Sequence, residues 1–196
     1  MSDIVKTKWE FRAVNPPEDR GRLGDFRPAE VPGTVQMELI RTGDIPDPFL
    51  KDNLKDLGWF YGMSWEYRTI LPQVPAEKPC HMVFEGIDTV SAVMLNGELI
   101  GRTDNMHVRY EFNLTGKLTG KDNELKVLIE CPVKYAEKKA KTSDCKASEG
   151  QCHGSPKFFY SHIRKPAYSA GWDWLGFVPA ASGIWKPAYL HIDDGQ

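Results

Sequence analysis

The stretch Thr89-Val-Ser-Ala-Val-Met-Leu-Asn-Gly-Glu-Leu-Ile-Gly-Arg-Thr103 decides the class of fold. It consists of two short runs suited to β-strands, Thr89–Leu95 and Glu98–Thr103, which are separated by Asn96 and Gly97. An Asn-Gly pair is the strongest short-range signal for a hairpin, because both residues tolerate the positive φ of a type I′ turn. The stretch therefore predicts two antiparallel strands joined by a tight turn.

Short strands with turn residues between them are predicted on both sides of this hairpin. In Trp65–Leu71 large side chains alternate with residues that point the other way, which is the period of a β-strand. Loops are predicted at 15–32, which is rich in proline, glycine and charge, and at 72–79. The other strands are predicted at Lys8–Ala13, His81–Glu85, Val108–Leu114, Glu124–Cys131 and Ile184–Ile192. Short strands at this spacing favour an all-β fold, namely an antiparallel β-sandwich.

One or two short helices are expected beside the strands. The first is predicted at Val35–Thr42, where Thr34 suits the N-cap and Gly43 suits a left-handed C-terminal stop. Lys134–Lys157 is rich in lysine, serine and glutamate, and a helical turn or two is predicted within it at Tyr135–Lys141. The rest of that segment predicts a solvated loop.

Length and composition exclude several classes of protein. A chain of 196 residues suits one domain, 1–196, and 41% hydrophobic residues are enough for a core. The net charge of -2 provides no field that would attract nucleic acid or an anionic membrane. No run approaches the roughly 18 apolar residues that cross a bilayer, and the N-terminus lacks the features of a secretory signal. We therefore expect a cytoplasmic protein that binds neither nucleic acid nor membrane.

The four cysteines show no spacing typical of a disulfide framework. Cys145 and Cys152 lie near His153, but zinc sites normally have two close pairs of ligands and this is a single loose pair. We expect Cys80, Cys131 and the other two to be free thiols. The prediction is that the protein holds no metal and no cofactor.

The charged side chains form no self-contained catalytic apparatus. The sequence has no phosphate-binding loop, nucleophile elbow or zinc-binding helix. A glycosidase needs two carboxylates flanking the bond that it cleaves, but Glu66, Glu85 and Glu111 are expected at solvated strand positions. Arg164 and Lys165 are expected as an exposed, solvated pair. We therefore predict no catalytic residue in this chain.

The segment Tyr168–Phe177 combines aromatic side chains, a carboxylate and glycines. In its centre Trp172 and Trp174 flank Asp173. An indole ring offers a flat apolar surface to the C–H face of a sugar, and a carboxylate accepts hydrogen bonds from two hydroxyl groups. These residues are therefore candidates for sugar binding. The alternative is that both tryptophans fill the core and that Asp173 caps a turn.

Several segments together match the pattern of a known family. They include the motifs Val-Pro-Gly-Thr-Val, Pro-Asp-Pro-Phe and Gly-Trp-Asp-Trp, and they lie at Ala29–Leu39, Ile45–Phe49, Asp52–Asn53, Trp65–Arg68, Phe84–Gly101, Ile163–Pro166, Gly171–Trp174 and Gly183–Pro187. In these segments the chain resembles the N-terminal sugar-binding domain of glycoside hydrolase family 2, and its β-mannosidase branch in particular. The likeness extends from Trp9 to Ile192.

The resemblance implies a jelly-roll sandwich of the galactose-binding-domain type and a supporting role in catalysis. In that family the catalytic glutamates lie in a later (β/α)₈ barrel, which alone needs about 250 residues. The Trp-Asp-Trp loop of β-mannosidases lines the pocket around the terminal mannose. By resemblance, Asp173 would accept hydrogen bonds from sugar hydroxyls, Trp172 would form a wall of the sugar subsite, and Arg164 would orient or neutralise the loop. Trp174 is a further candidate for substrate binding. After Trp174 this chain departs from the family, which continues with Gly-Pro and a shorter link.

These observations lead to one expected function and several alternatives. The chain is expected to be the substrate-recognition domain of a retaining hydrolase of terminal β-D-mannosides, with a barrel domain as its partner and no activity alone. A free-standing carbohydrate-binding module is the first alternative. The same domain of a β-galactosidase or β-glucuronidase is the second, and a purely structural domain is the third.

Overall fold

A computed structural model of the chain describes residues 3–144, 160–166, 171–172, 175–177 and 181–193. Its helices are α1 (Val35–Arg41) and α2 (Pro132–Thr142), with short 3-10 helices at Glu18–Gly24, Asn53–Gly62 and Tyr160–His162. The strands, in chain order, are β1 (Asp3–Val5), β2 (Trp9–Val14), β3 (Arg27–Ala29), β4 (Ser64–Leu71), β5 (Cys80–Phe84), β6 (Ser91–Leu95), β7 (Glu98–Thr103), β8 (Tyr110–Asn113), β9 (Asn123–Ile129), β10 (Gly171–Trp172), β11 (Leu175–Phe177) and β12 (Ala188–Ile192).

The strands form two main antiparallel sheets, which confirms the predicted all-β sandwich. One sheet has six strands in the order β3-β2-β4-β9-β6-β7, and the other has four in the order β1-β12-β5-β8. Aromatic side chains join the two sheets: the rings of Trp9 on β2 and Phe84 on β5 have their centroids 6.1 Å apart. A separate antiparallel pair, β10-β11, lies in the segment that carries the predicted sugar-binding residues.

The core follows from the alternation of side chains along the central strands. On β4, Trp65, Tyr67 and Leu71 are no more than 1% exposed. The neighbouring strand β9 places Val127 opposite Tyr67, and Val127 is also buried. Burying such side chains stabilises the fold by about 1.5–3 kcal/mol each. The predicted inward face of 65–71 is therefore confirmed.

The predicted hairpin around Asn96-Gly97 forms as expected. Ser91–Leu95 pairs with Glu98–Thr103 in antiparallel register. Asn96 has a φ of 50° and Gly97 a φ of 85°, as a type I′ turn requires. Helix α1 also begins where predicted: the Thr34 side chain accepts a hydrogen bond from the backbone N–H of Met37.

Two short edge strands and one helix differ from the predictions. The segment 15–32 is not a plain loop, since it contains a 3-10 helix and strand β3, and β1 was not predicted at all. Both strands have three residues, too few to show an alternation, and each exists because a longer strand lies beside it. Helix α2 begins at Pro132 and is longer than the predicted turn, because proline at the first position and the Cys131 cap favour initiation.

The last strand is shorter than its predicted range of 184–192. It begins at Ala188 because Gly183 and Ile184 have other backbone partners: Gly183 bonds to Asp88, and the Ile184 carbonyl accepts from Gly33. Pro187 also lacks an N–H for the ladder. The residues before β12 therefore form a separate stem beside the sandwich.

Candidate functional site

The structure describes the predicted sugar-binding residues unevenly. Asp173 and Trp174 lie outside the described residues, and so does the predicted loop beyond residue 144. Trp172 belongs to β10, where its backbone pairs with Leu175, while Gly171 pairs with Phe177. On either side of this strand pair the structure describes two short segments, 163–166 and 181–184, which we call the first and the second stem. These stems are the part of the candidate site that the structure shows.

The first stem is attached to the sandwich through its backbone and through the buried apolar side chain of Ile163. The backbone N–H of Met106 donates to the Arg164 carbonyl at 3.2 Å, within a parallel bridge between Asn105 and Arg164. Ile163 is buried in a small apolar cluster with Val90 and three residues in or beside α2. The stem thus has a defined place between the β7–β8 connection and α2.

The second stem is attached to the start of α1 and to the loop before β6. Gly183 and Asp88 exchange two backbone hydrogen bonds, of 2.9 and 3.1 Å. The N–H of Val35, the first residue of α1, donates to the Ser182 carbonyl at 2.8 Å. Gly183 has a φ of 148°, a conformation that favours glycine. This stem is held by backbone contacts on both sides.

Lys165 and Asp88 form a buried ion pair between the two stems. The prediction of an exposed Arg-Lys pair is therefore wrong for Lys165, whose side chain is fully buried, while that of Asp88 is 3% exposed. The Lys165 ammonium donates to the Asp88 carboxylate and, at 2.7 Å, to the carbonyl of Ala181. Burial lowers the pKa of Lys165, and the Asp88 charge opposes that shift. A lysine can be buried here because a carboxylate lies opposite it.

Sequence reasoning missed Asp88 as a component of this site. Its one signal was a carboxylate directly after Ile87 and close before Val90, in a short run that also contains Glu85 and Thr89. A buried carboxylate needs a cationic or hydrogen-bonding partner, but the partner lies 77 positions further along the chain. Only the folded arrangement brings the two groups together.

Arg164 is exposed, as expected of the Arg-Lys pair, and it borders a polar cleft of about 580 Å³. Tyr135 and Lys139 of α2 line this cleft together with Asp104 and His162. The cleft offers hydrogen-bond donors and acceptors rather than an apolar surface. The guanidinium is therefore available to a polar group that approaches the first stem.

The glutamates considered as catalytic candidates have structural partners. Glu66 is 9% exposed, which makes the prediction of a solvated position wrong, because it faces Arg12 on β2 at 3.1 Å. Glu85 is half-buried and accepts a hydrogen bond of 2.8 Å from Tyr189. Glu111 is exposed and lies 3.1 Å from Arg109. These contacts provide no pair of carboxylates arranged around a common cleft.

Metal binding and membrane crossing can both be judged for the described residues. Within it, no group of three or more histidine, cysteine, aspartate or glutamate side chains is arranged to hold a metal ion. Cys80 and Cys131 are buried cysteines, and Cys145 and Cys152 lie outside the described residues. None of the helices in the described ranges combines the length and the apolar character that a membrane crossing requires.

Comparison with known proteins gives one family and a consistent group of relatives. The family described as "Glycosyl hydrolase 2 galactose-binding domain-like" matches residues 9–186. "Beta-mannosidase" of Rattus norvegicus is 35% identical over 81% of this chain and 18% of its own length. "Beta-mannosidase B" of Thermothelomyces thermophilus is 31% identical over 96% of this chain and 21% of its own length. The chain thus spans about a fifth of these relatives.

Solved structures agree with the sequence relatives. The β-D-mannosidase of Dictyoglomus thermophilum superposes with a TM-score of 0.81 at 36% identity, over 97% of this chain and 22% of that one. A β-glucuronidase of Ruminococcus gnavus reaches a TM-score of 0.55 at 17% identity, over 98% of this chain and 28% of that one. At that identity the second likeness shows the fold alone.

Proposed function

The chain belongs to the glycosyl hydrolase 2 galactose-binding domain-like family, and on that premise we propose that it is the substrate-recognition domain of a β-mannosidase. The observation that carries the proposal is the match to a solved β-D-mannosidase, which covers nearly the whole chain at 36% identity. The protein would hydrolyse terminal β-D-mannosides with retention of configuration. Residues 1–196 would form one domain of it.

The reaction itself is assigned to another part of the polypeptide. Retaining hydrolysis needs one carboxylate as nucleophile and a second as acid and base, about 5 Å apart. Glu66 and Glu85 are both engaged in structural contacts. A catalytic barrel of about 250 residues would be longer than this whole chain. The chain alone is therefore expected to be inactive.

We assign the sugar contacts to the segment between the two stems. Trp172 and Trp174 would present indole surfaces to the C–H face of the mannose ring, and Asp173 would accept hydrogen bonds from its hydroxyls. Arg164, which is exposed on the first stem, would orient that segment or contact the substrate. A site with one wall on this domain and the other on the catalytic domain explains why both would be needed.

The test is to express the complete product of the gene and to measure hydrolysis of p-nitrophenyl β-D-mannoside. Asp173→Ala should lower kcat/KM by about 10- to 100-fold, since a hydrogen bond to a charged group contributes about 1.5–3 kcal/mol. Asp122→Ala, which removes an exposed aspartate in the turn before β9, is the matched control and should leave the kinetics unchanged.

The same preparation separates the alternatives. The gene product is also assayed with p-nitrophenyl β-galactoside and p-nitrophenyl β-glucuronide. Hydrolysis of either of these in place of the mannoside would contradict the substrate that we propose. A gene product that cleaves none of the three, while its first 196 residues bind mannose, would favour a carbohydrate-binding module. Wild-type kinetics in Asp173→Ala would remove that side chain from the sugar pocket.

A further inference from the structure

We infer that the buried ion pair between Lys165 and Asp88 holds the two ends of segment 167–180 in a fixed position relative to each other. Lys165 and Asp88 are then positioning residues of the sugar site. The inference rests on the proposed function for the role of that segment. The pair itself is a feature of the described structure. Neither residue is expected to touch the sugar.

The position of Lys165 along the chain makes it a link between both stems. Lys165 lies two residues before the segment, and Ala181 follows immediately after it. The Lys165 ammonium donates at 2.7 Å to the Ala181 carbonyl and also to the Asp88 carboxylate. One side chain of the first stem therefore contacts the backbone of the second stem directly.

Asp88 holds the second stem by a different route. Its backbone exchanges two hydrogen bonds with Gly183, while its carboxylate accepts from Lys165. The Thr89 hydroxyl also donates to that carboxylate. Asp88 thus connects to both ends of segment 167–180 through separate groups, and removing its charge would leave the backbone bonds in place.

The pair is in turn attached to the six-stranded sheet. The Thr103 hydroxyl at the end of β7 donates to the Thr89 carbonyl at 2.8 Å. The hydroxyls of Ser91 on β6 and Thr103 lie 2.7 Å apart. These buried bonds fix the position of Asp88 relative to the sheet. The ends of the segment are therefore fixed to the rigid part of the sandwich rather than only to each other.

Stability alone is a poor reason for such a pair. A well-packed apolar pair of similar volume is often as stabilising as a buried ion pair, because both charges lose their hydration. The Lys165 side chain is fully buried, so this cost applies in full. Charged groups differ from apolar ones in that their hydrogen bonds have direction, which defines where the bonded backbone lies. Directed bonds to both stems are what a positioning role requires.

Hydrogen–deuterium exchange of the complete gene product tests the inference without reference to activity. Lys165→Met alone leaves a buried carboxylate without its cation and should lower Tm strongly. In Asp88→Asn/Lys165→Met both charges are gone and Tm should return close to the wild-type value. Peptides covering 167–180 should nevertheless exchange about 10- to 100-fold faster, the change expected when a hydrogen bond to a charged group is lost.

A second ion pair between neighbouring segments, which is only partly buried, provides the control. Arg12 and Glu66 face each other on β2 and β4, on the side of the sheet opposite to the core residues Trp65 and Tyr67. Arg12→Met/Glu66→Gln should leave exchange in 167–180 unchanged. Unchanged exchange in the Asp88/Lys165 double variant, or an equal increase over the whole chain, would overturn the positioning role.

Kinetics separate this inference from the proposed function. In Asp88→Asn/Lys165→Met, kcat/KM for the β-mannoside should fall by at least about tenfold, since misplacing a contact by 1 Å can cost 100-fold. The control pair should keep wild-type kinetics. Faster exchange with an unchanged kcat/KM would refute a role in positioning for catalysis. A wild-type gene product that cleaves no mannoside would refute the proposed function, while the exchange result would still decide whether the pair holds the segment.

Discussion

Replacement of Gly183 by alanine should be among the most damaging single changes in the described structure. A Cβ at this position would lie 2.6 Å from the Gly33 carbonyl oxygen and 2.9 Å from the Thr34 Cα, and both of these atoms belong to the backbone. It would also lie 3.2 Å from the hydroxyl of Tyr67, which is fully buried. The two nearest of these atoms cannot rotate away, because they belong to the backbone.

The size of the effect follows from two separate costs. A non-glycine residue in a sparsely populated φ region costs about 1–3 kcal/mol, and the Gly183 φ of 148° lies in such a region. Forcing an extra methyl group into a packed site costs about 1–3 kcal/mol more. We expect Gly183→Ala to lower the free energy of unfolding by about 2–6 kcal/mol, with a Tm lower by at least about 4 °C.

Urea denaturation followed by circular dichroism and tryptophan fluorescence measures this loss directly. Gly21→Ala is the matched control, because nothing lies within 4 Å of a Cβ added there and its φ is not in the left-handed range. That change should be neutral or stabilise the fold by up to about 1 kcal/mol. A loss of less than about 0.5 kcal/mol in Gly183→Ala would refute the argument from close contacts, since ordinary surface changes produce as much.

Two further predictions follow from groups whose pKa the fold changes. Burial would raise the pKa of Asp44, but hydrogen bonds from Thr42 and Arg27 and nearby arginine charge outweigh it and lower that pKa. The stability that this carboxylate contributes is present above the ordinary pKa of 3.8 and is lost as the pH falls through the lower pKa of the folded state. Asp44→Asn should therefore lower the free energy of unfolding by about 1–3 kcal/mol at pH 7, and urea titrations should show a smaller loss of stability between neutral and acid pH. An unchanged loss of stability at acid pH would contradict this. Burial raises the pKa of Cys80 and Cys131, so iodoacetamide should label neither thiol before unfolding, as read by peptide mass spectrometry, and native labelling of either would count against their burial.

The parts of the fold that could be predicted depend on neighbours in sequence. The β4 alternation, the Asn96-Gly97 turn and the Thr34 cap each follow from a few adjacent residues, and each is found in the structure. Strand β3 could not be predicted in this way. In the chain, the 3-10 helix at Glu18–Gly24 lies between β2 and β3. The three residues of β3 form a strand only because they pair with β2.

The candidate site was predictable in part, for the same reason. The composition of Gly171–Trp174 indicated sugar recognition, and that interpretation stays a prediction, while the family of the chain is shown by the family match. The surroundings of that segment were not predictable. An Arg-Lys pair gives no local sign that Arg164 is exposed while Lys165 is buried, because burial depends on Asp88 and Ala181, which approach from other parts of the chain.

The amino-acid sequence by itself determined the class of fold, its principal strands, the first helix and the family of the chain. Each of these can be recognised from periodicity, turn residues or motifs that span a few positions. Only the tertiary structure decided which charges are buried, where the short edge strands lie and how the two stems are joined. The physical reason is that desolvation and pairing of a charged group depend on every element packed around it, and those elements come from distant parts of the chain.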